Sequence, residues 1–260
     1  MLEFAPLPLV LLVTACAIVF LAGLVHGTLG FGFPMVATPL LALVTDVRSA
    51  ILLTLLPTLA VNIPSILRGG RWSESIGRHW PLAVYIMLGS VIGTKVLIVS
   101  DPSPFRLLLA AMIVLYLLPK QSGAVAGPLG VLVERRQLGY ALFGLAAGFL
   151  AGTVNVMVPL LIIFTLELGL AMTAMVQLFN LCFLSGKVAQ LGTFGVTGVI
   201  DASLLVETLP LIVAAGGALW LGMRLRERIE AVTYRRWLRR TLAVVAVLLC
   251  VQFLVEAVSI

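Results

Sequence analysis

Charged residues are scarce in this 260-residue chain. Only 11% of the residues are Asp, Glu, Lys or Arg, whereas 61% are apolar, and the mean hydropathy is +1.17. A soluble domain of this length needs far more polar surface. The composition therefore excludes a soluble globular protein and indicates an integral membrane protein, whose partner is the lipid bilayer.

Cysteine and histidine are also sparse, with three and two copies. Cys16, Cys182 and Cys250 lie far apart inside apolar stretches and form no CxxC pair, so neither a disulfide nor a metal site is predicted. Cys182 follows Asn180 and precedes Ser185, which leaves a role in sulfur chemistry open beside simple burial as a small apolar residue. No cofactor is expected.

Sequence signatures of enzymes are missing as well. The chain contains no GxxxxGK[ST] phosphate loop, no HExxH metal motif and no GxSxG nucleophile motif. No pair of carboxylates is spaced for general acid and base catalysis. The sequence therefore predicts a protein that is not an enzyme and that does not bind nucleic acid.

What the chain does contain is a pair of interrupted apolar stretches, one in each half. The first reads GTLGFGFP from Gly27 to Pro34, and the second reads GTVNVMVP from Gly152 to Pro159. Glycine and proline at these positions favour a break in the helix. Matching broken membrane helices in two halves of a chain point to the binding site of a secondary transporter.

The basic residues predict how the chain crosses the membrane. If each interrupted stretch forms a hairpin that enters and leaves on one side, only Arg48 and Arg106 lie in loops on the periplasmic side. Both termini are then periplasmic, because basic loops stay in the cytoplasm. Residues 9–26 are almost long enough to span the bilayer, so a full crossing by the first hairpin also stays open. The cytoplasmic residues are Arg68, Arg71, Arg78, Lys120, Arg135, Arg136, Arg224, Arg226, Arg228, Arg235, Arg236, Arg239 and Arg240.

The predicted fold is an all-α polytopic membrane protein with two inverted repeats. Each repeat consists of a broken-helix hairpin and three transmembrane helices. Repeat 1 covers residues 1–119 with its hairpin at 9–44, and repeat 2 covers residues 138–260 with its hairpin at 138–168. Residues 120–137 form a cytoplasmic linker. The repeats are inverted because the two hairpins enter from opposite sides of the membrane.

The two breaks predict the substrate site. The helix that follows each break directs its first N–H groups, and the positive end of its dipole, into the space beside the break. Such helix ends bind anions, and non-helical backbone inside a bilayer requires a cavity or protein partners. The candidate substrate-binding residues are Thr28, Gly30, Gly32, Phe33, Pro34, Gly152, Thr153, Asn155, Gln177, Asn180 and Lys187.

Other residues in the apolar stretches have two explanations each. His26 and Glu207 are candidates for ion coupling, but a packing histidine and an interfacial carboxylate explain them as well. Lys95 is expected to extend its amine to the membrane surface. Close helix packing is an alternative explanation for the glycines that precede the breaks. Those glycines are Gly23, Gly27, Gly144 and Gly148.

The paired motifs resemble those of the sulfite exporter TauE/SafE family. The resemblance rests on GLVHGTLGFGFPMVATP, which begins at Gly23, and GLAAGFLAGTVNVMVP, which begins at Gly144, and it covers essentially the whole chain. The second copy departs from the family pattern, because Thr153, Val154 and Asn155 stand where more glycine is expected. The resemblance implies a multi-pass transporter of sulfur-containing anions in the bacterial inner membrane.

The predicted function is therefore secondary transport of a small anion. The chain is expected to export sulfite, sulfoacetate or other organosulfonates across the inner membrane. Two alternatives stay open. One is a small-anion channel that uses the same site without an alternating gate, and the other is a membrane-embedded enzyme or assembly factor.

Overall fold

The structure, a computed structural model, describes residues 8–70, 72–118, 135–200, 202–226 and 231–258. These residues form helices joined by short turns, and no strand occurs among them, so the predicted all-α fold is confirmed. Most of the predicted linker 120–137 lies outside the described residues. The helices are α1 (Leu9–Leu29), α2 (Phe33–Ala42), α3 (Val47–Leu67), a π-helical segment (Ser73–Gly77), α4 (Arg78–Val99), α5 (Ser103–Leu117), α6 (Arg136–Val154), α7 (Val158–Glu167), α8 (Met172–Val196), α9 (Ala202–Glu207), α10 (Leu209–Leu225) and α11 (Ala231–Val258).

Within the described ranges, five segments are long and apolar enough to cross a membrane. At 1.5 Å per residue, a 21-residue helix such as α1 is about 31 Å long, which matches a hydrocarbon core of about 30 Å. The short helices α2 and α7 have 10 residues each and are about half that length. The five segments are Leu9–Leu29, Val47–Leu67, Ser73–Val99, Arg136–Val154 and Met172–Val196.

Polar residues are concentrated inside the molecule, and apolar residues cover much of its outside. Val13, Ile92 and Val188 are among many exposed apolar side chains, as expected for a surface that faces lipid. By contrast, Asn62 and Gln177 are fully buried. Buried polar groups need hydrogen-bond partners, so their concentration in the interior marks where polar chemistry takes place.

Local sequence signals determine several helix starts. Pro34 and Pro159 occupy the first turns of α2 and α7, where the missing N–H removes no helical hydrogen bond. Asp46 caps α3, because its Oδ1 atom accepts hydrogen bonds from the backbone N–H groups of Arg48 at 2.8 Å and Ser49 at 3.1 Å. These signals start α2 and α7 directly after the two interruptions.

Glycines allow α1 and α10 to pack closely in a parallel arrangement. A Cβ atom built on Gly23 would lie 2.8 Å from the carbonyl oxygen of Ala215. One built on Gly27 would lie 2.4 Å from that of Leu219. Both glycines therefore form the close helix seam that was the alternative explanation for them.

The same kind of seam joins α4 and α6, which also run parallel. A Cβ atom on Gly144 would meet Tyr85, and one on Gly148 would lie 2.2 Å from the carbonyl oxygen of Ile86. Gly93 of α4 is equally close to Phe149 of α6. The first helix of each half thus packs against a helix of the other half, α1 on α10 and α6 on α4.

Helices α3 and α8 lie antiparallel beside each other near the centre. The side-chain amide of Gln177 donates to the carbonyl of Ile66, which places the start of α8 beside the end of α3. Ser75 of the π-helical segment donates to Gln177 at 2.6 Å, so this segment lies at the same level. Arg68 Nη1 contacts Met223 Sδ at 2.7 Å, which places the end of α10 there too.

These contacts define an arginine side of the molecule, marked by Arg68, Arg78, Arg136 and Arg224. Helices α3 and α10 end at this side, and α4, α6 and α8 begin there. Helix α1, parallel to α10, runs towards the arginine side, and α2 returns beside the first half of α3. Helix α6 runs in the opposite direction, and α7 returns to the arginine side, where α8 starts.

Candidate functional site

The first break comprises residues 30–32, between α1 and α2. Gly30 and Gly32 have φ angles of 85° and 102°, a region that residues with a Cβ atom rarely adopt. A Cβ atom built on Gly32 would meet no atom within 4 Å, so there is open space beside this glycine. The N-terminus of α2 therefore borders this space. Its N-cap residue, Gly32, has no side chain that could cap the helix.

His26 lies at this break and is fully buried. Its Nε2 atom is 3.0 Å from Ser65 Oγ, and the backbone N–H of Phe33 points to its Nδ1 atom at 3.4 Å. Phe33 is the first residue of α2, so the imidazole accepts from the first backbone N–H of that helix. The structure places this coupling candidate where both ring nitrogens have partners.

Asn180 of α8 closes the first break from the other side. Its Nδ2 atom donates to the carbonyl oxygens of Gly30 at 2.7 Å and Val176 at 2.8 Å. Its Oδ1 atom is buried and has no hydrogen-bond partner among the described residues. Asn180 is therefore held by its amide nitrogen and keeps one unused acceptor beside the break.

The second break comprises residues 155–157, between α6 and α7. Asn155 has a φ angle of 60°, and no other non-glycine residue in the described part of the chain has a positive φ. Its Nδ2 atom donates to Thr38 Oγ1 at 2.7 Å and to Thr54 Oγ1 at 3.1 Å. This side chain thus connects the second break to α2 and α3 of the first half.

Lys187 also lies at the second break and is only 2% exposed. Its Nζ atom donates to Gln190 Oε1, and Gln190 Nε2 donates to the carbonyl oxygen of Gly152 at 3.1 Å. Helices α3, α4, α6 and α8 contain no acidic residue. A buried charge without a counter-charge is costly, so an anion would stabilise a protonated Lys187.

The two breaks lie at different depths along α8. Asn180 contacts the first break and Gln190 contacts the second, and ten residues of helix correspond to about 15 Å. Between these depths, the neighbouring helices α3 and α8 both carry buried polar side chains. We call this set the polar seam; it consists of Thr54, Thr58 and Asn62 on α3 and of Gln177, Asn180, Lys187 and Gln190 on α8.

Three predicted site residues, Thr28, Thr153 and Gly152, have structural roles within or between helices. The hydroxyls of Thr28 and Thr153 donate to carbonyls of their own helices, Leu24 and Phe149, at 3.0 Å and 2.9 Å. A Cβ atom on Gly152 would lie 2.5 Å from the carbonyl oxygen of Ser90, so this glycine also belongs to the α4–α6 seam.

The remaining predicted residues are distributed over the molecule. Phe33 and Pro34 are buried at the start of α2. Lys95 is exposed, and Cys182 is fully buried. Glu207 ends α9, which packs against α10, and its Oε2 atom has no hydrogen-bond partner within the described residues.

Sequence reasoning missed two partners at the second break, Thr38 and Gln190. Gln190 follows Lys187 by three residues and thus lies on the same helical face, a signal that was available. Thr38 had no such signal, because its contact with Asn155 spans 117 residues of sequence. The contact between His79 Nδ1 and Tyr140 Oη, at 2.7 Å, was missed for the same reason.

The chemistry of the second break favours an anion. Helix α7 starts there with no side-chain cap, so its first N–H groups and the positive end of its dipole are directed at the break. Lys187 supplies a cationic donor that Gln190 links to Gly152, three residues before this break. In the described residues, no group of three or more His, Cys, Asp or Glu side chains is placed to hold a metal ion.

Comparison with known proteins agrees with these features. A family model described as "Sulfite exporter TauE/SafE" matches residues 15–253, which is nearly the whole chain. No match was found among curated proteins or among solved structures. The family match and the apolar helices together establish a multi-pass membrane protein. This chain belongs to the sulfite exporter TauE/SafE family of membrane transporters.

Proposed function

We propose that this protein is a secondary transporter that exports small sulfur-containing anions across the bacterial inner membrane. The substrates are sulfite, sulfoacetate or other organosulfonates. The observation that carries the proposal is Lys187, a buried amine that Gln190 links to Gly152 just before the second break, on a helix without an acidic residue. A sulfonate or sulfite oxygen would accept from this amine and from the first N–H groups of α7.

The polar seam is the proposed path between the two breaks. It provides buried hydrogen-bonding groups from the level of Gln177 to the level of Gln190. An anion that moves along it passes from the first break, nearer the arginine side, to Lys187 at the second break. The membrane potential favours this outward direction by about 2.3 kcal/mol per charge per 100 mV.

The two halves are proposed to be inverted repeats, because equivalent helices of the two halves make equivalent contacts. Helix α1 packs on α10 as α6 packs on α4, and α3 packs on α8 at the centre. The arginine side is then cytoplasmic and both termini are periplasmic. The polar seam becomes accessible from one side of the membrane and then from the other if the hairpins α1–α2 and α6–α7 move against the remaining helices.

A flux assay in proteoliposomes tests the proposed function. Purified protein is reconstituted, the vesicles are loaded with labelled sulfite or sulfoacetate, and efflux and counterflow are measured. Saturable efflux with counterflow is expected. Flux that never saturates, together with single-channel currents, would instead establish a channel, and absence of flux for both anions would reject this substrate class.

A further inference from the structure

The hydrogen bonds around His26 assign its neutral tautomer. Ser65 Oγ donates to the carbonyl of Val61 at 2.7 Å, so its hydroxyl proton is already used. Ser65 must therefore accept from His26, which places the ring proton on Nε2. The Nδ1 atom then carries a lone pair, and it accepts the long 3.4 Å contact from the Phe33 N–H.

Asn180 presents a second lone pair to the same place. Its Nδ2 atom is fixed by two carbonyl acceptors, so the amide cannot be flipped without losing both hydrogen bonds. The Asn180 side chain is within hydrogen-bonding reach of the His26 ring, yet Oδ1 has no partner among the described residues. Asn180 Oδ1 is thus an unused acceptor near the His26 ring, whose Nδ1 atom is also an acceptor in the neutral tautomer.

A proton on Nδ1 would rearrange these contacts. Protonated Nδ1 becomes a donor, and Asn180 Oδ1 is the unused acceptor beside it. The Phe33 N–H can no longer donate to Nδ1, so the first amide of α2 becomes available. That amide borders the open space beside Gly32. Protonation therefore turns the first break into a site with a cation and a free helix N-terminus.

The surroundings of His26 connect the proton to an anion. Of the elements packed against this part of α1, α2 contains no titratable residue, α3 is followed by Arg68, and α10 carries Arg224. On α8, Cys182 lies two residues after Asn180, and Lys187 lies seven residues after Asn180. The charged groups among these are all basic. The described residues of these helices place no carboxylate beside a buried imidazolium, so proton and anion stabilise each other's binding.

We propose that the first break is a cytoplasmic-side station for the anion that forms when His26 is protonated, with Asn180 as the acceptor that positions the proton. This inference rests on the proposed function, because the same anion then moves to Lys187. Each break thereby has one cationic group. The cationic group at the second break is a lysine, and the one at the first is a protonated histidine.

The test is the pH dependence of KM on the cytoplasmic side. Inside-out vesicles, which expose the cytoplasmic face, take up labelled sulfoacetate between pH 6 and pH 8. Sulfoacetate is chosen because it does not titrate in this range. Binding that needs a proton weakens as the pH rises, so KM is expected to rise by up to about tenfold per pH unit above the midpoint.

Variants separate this role from a structural one. His26→Gln should give a high KM that no longer varies with pH. Asn180→Asp should move the midpoint of the pH profile upwards, because a carboxylate stabilises the imidazolium. Thr193→Val removes a hydroxyl of α8 that donates to the carbonyl of Ala189, and it should keep the wild-type profile.

Each outcome has a defined meaning. Saturable uptake with a KM that is flat with pH, or a His26→Gln variant that keeps the wild-type pH profile, overturns the inference and leaves the proposed function standing. An unmoved midpoint in Asn180→Asp removes Asn180 from the mechanism. Absence of saturable sulfoacetate uptake by the wild-type protein at every pH rejects both proposals for this anion.

Discussion

At the scale of single residues, Lys187 distinguishes the second break from the rest of the interior. It is buried, it is bound through Gln190 to the carbonyl of Gly152, and α3, α4, α6 and α8 carry no carboxylate. A protonated amine at this position is therefore unfavourable without an anion. Under the proposed function, a bound oxyanion replaces Gln190 Oε1 as the acceptor of the Lys187 amine.

Replacing Lys187 by glutamine should weaken anion binding. The loss of a charge-assisted hydrogen bond is worth about 1.5 to 3 kcal/mol, which corresponds to an affinity about 10- to 150-fold lower. The change is measured as the concentration of sulfoacetate that half-inhibits labelled counterflow. Lys95→Gln is the matched control, because Lys95 is exposed and should not affect this value. Equal affinities of the two variants would remove Lys187 from the site.

At the scale of helices, glycine has two different roles in this molecule. Gly30 and Gly32 provide the positive φ angles of the first break. Gly23 and Gly148 instead allow backbones of neighbouring helices to touch. The sequence alone did not separate these roles, because both place glycines at similar spacing in apolar stretches. The structure separates them by what a Cβ atom would meet.

A paired glycine substitution measures the helix seam. Gly148→Ala places a Cβ atom 2.2 Å from the backbone carbonyl of Ile86, which cannot move as a side chain would. The expected cost is about 1–3 kcal/mol of unfolding free energy, measured by denaturation in detergent micelles. Gly216→Ala on α10 meets no atom within 4 Å and should cost little. If Gly216→Ala lowered the free energy of unfolding as much as Gly148→Ala does, the close contact at Gly148 would not explain the loss.

The interruptions themselves were predictable from the sequence, whereas their partners were not. Glycine and proline are local signals, and they indicated where α1 and α6 end. The contact of Asn155 with Thr54 joins two helices 101 residues apart in the chain, and no local periodicity encodes it. Such contacts follow from how whole helices pack, so the polar seam emerged only in three dimensions.

At the scale of the whole molecule, the two hairpins α1–α2 and α6–α7 run in opposite directions. Basic residues gather where α3 and α10 end and where α4 and α6 begin. From the positive-inside rule we propose that this side is cytoplasmic. The turn after α2 then faces the periplasm, and the turn after α7 faces the cytoplasm, so the hairpins enter from opposite sides.

Cysteine labelling in whole cells tests that topology. In a variant without the three native cysteines, Val44→Cys and Asp101→Cys should react with an impermeant maleimide from the periplasm. Ala171→Cys should react only after the cells are permeabilised. All three positions are exposed, so accessibility depends on the side of the membrane. Labelling of Val44→Cys and Ala171→Cys from one side would exclude inverted hairpins.

The most direct measurement is the position of a bound anion. Selenite has the shape and charge of sulfite, and selenium scatters X-rays anomalously. Crystals of the protein grown with selenite should show an anomalous peak within hydrogen-bonding distance of Lys187 Nζ, at the start of α7, and the peak should disappear in Lys187→Gln. A selenite peak that lies away from both breaks, or one that persists in Lys187→Gln, would contradict an anion site at the second break.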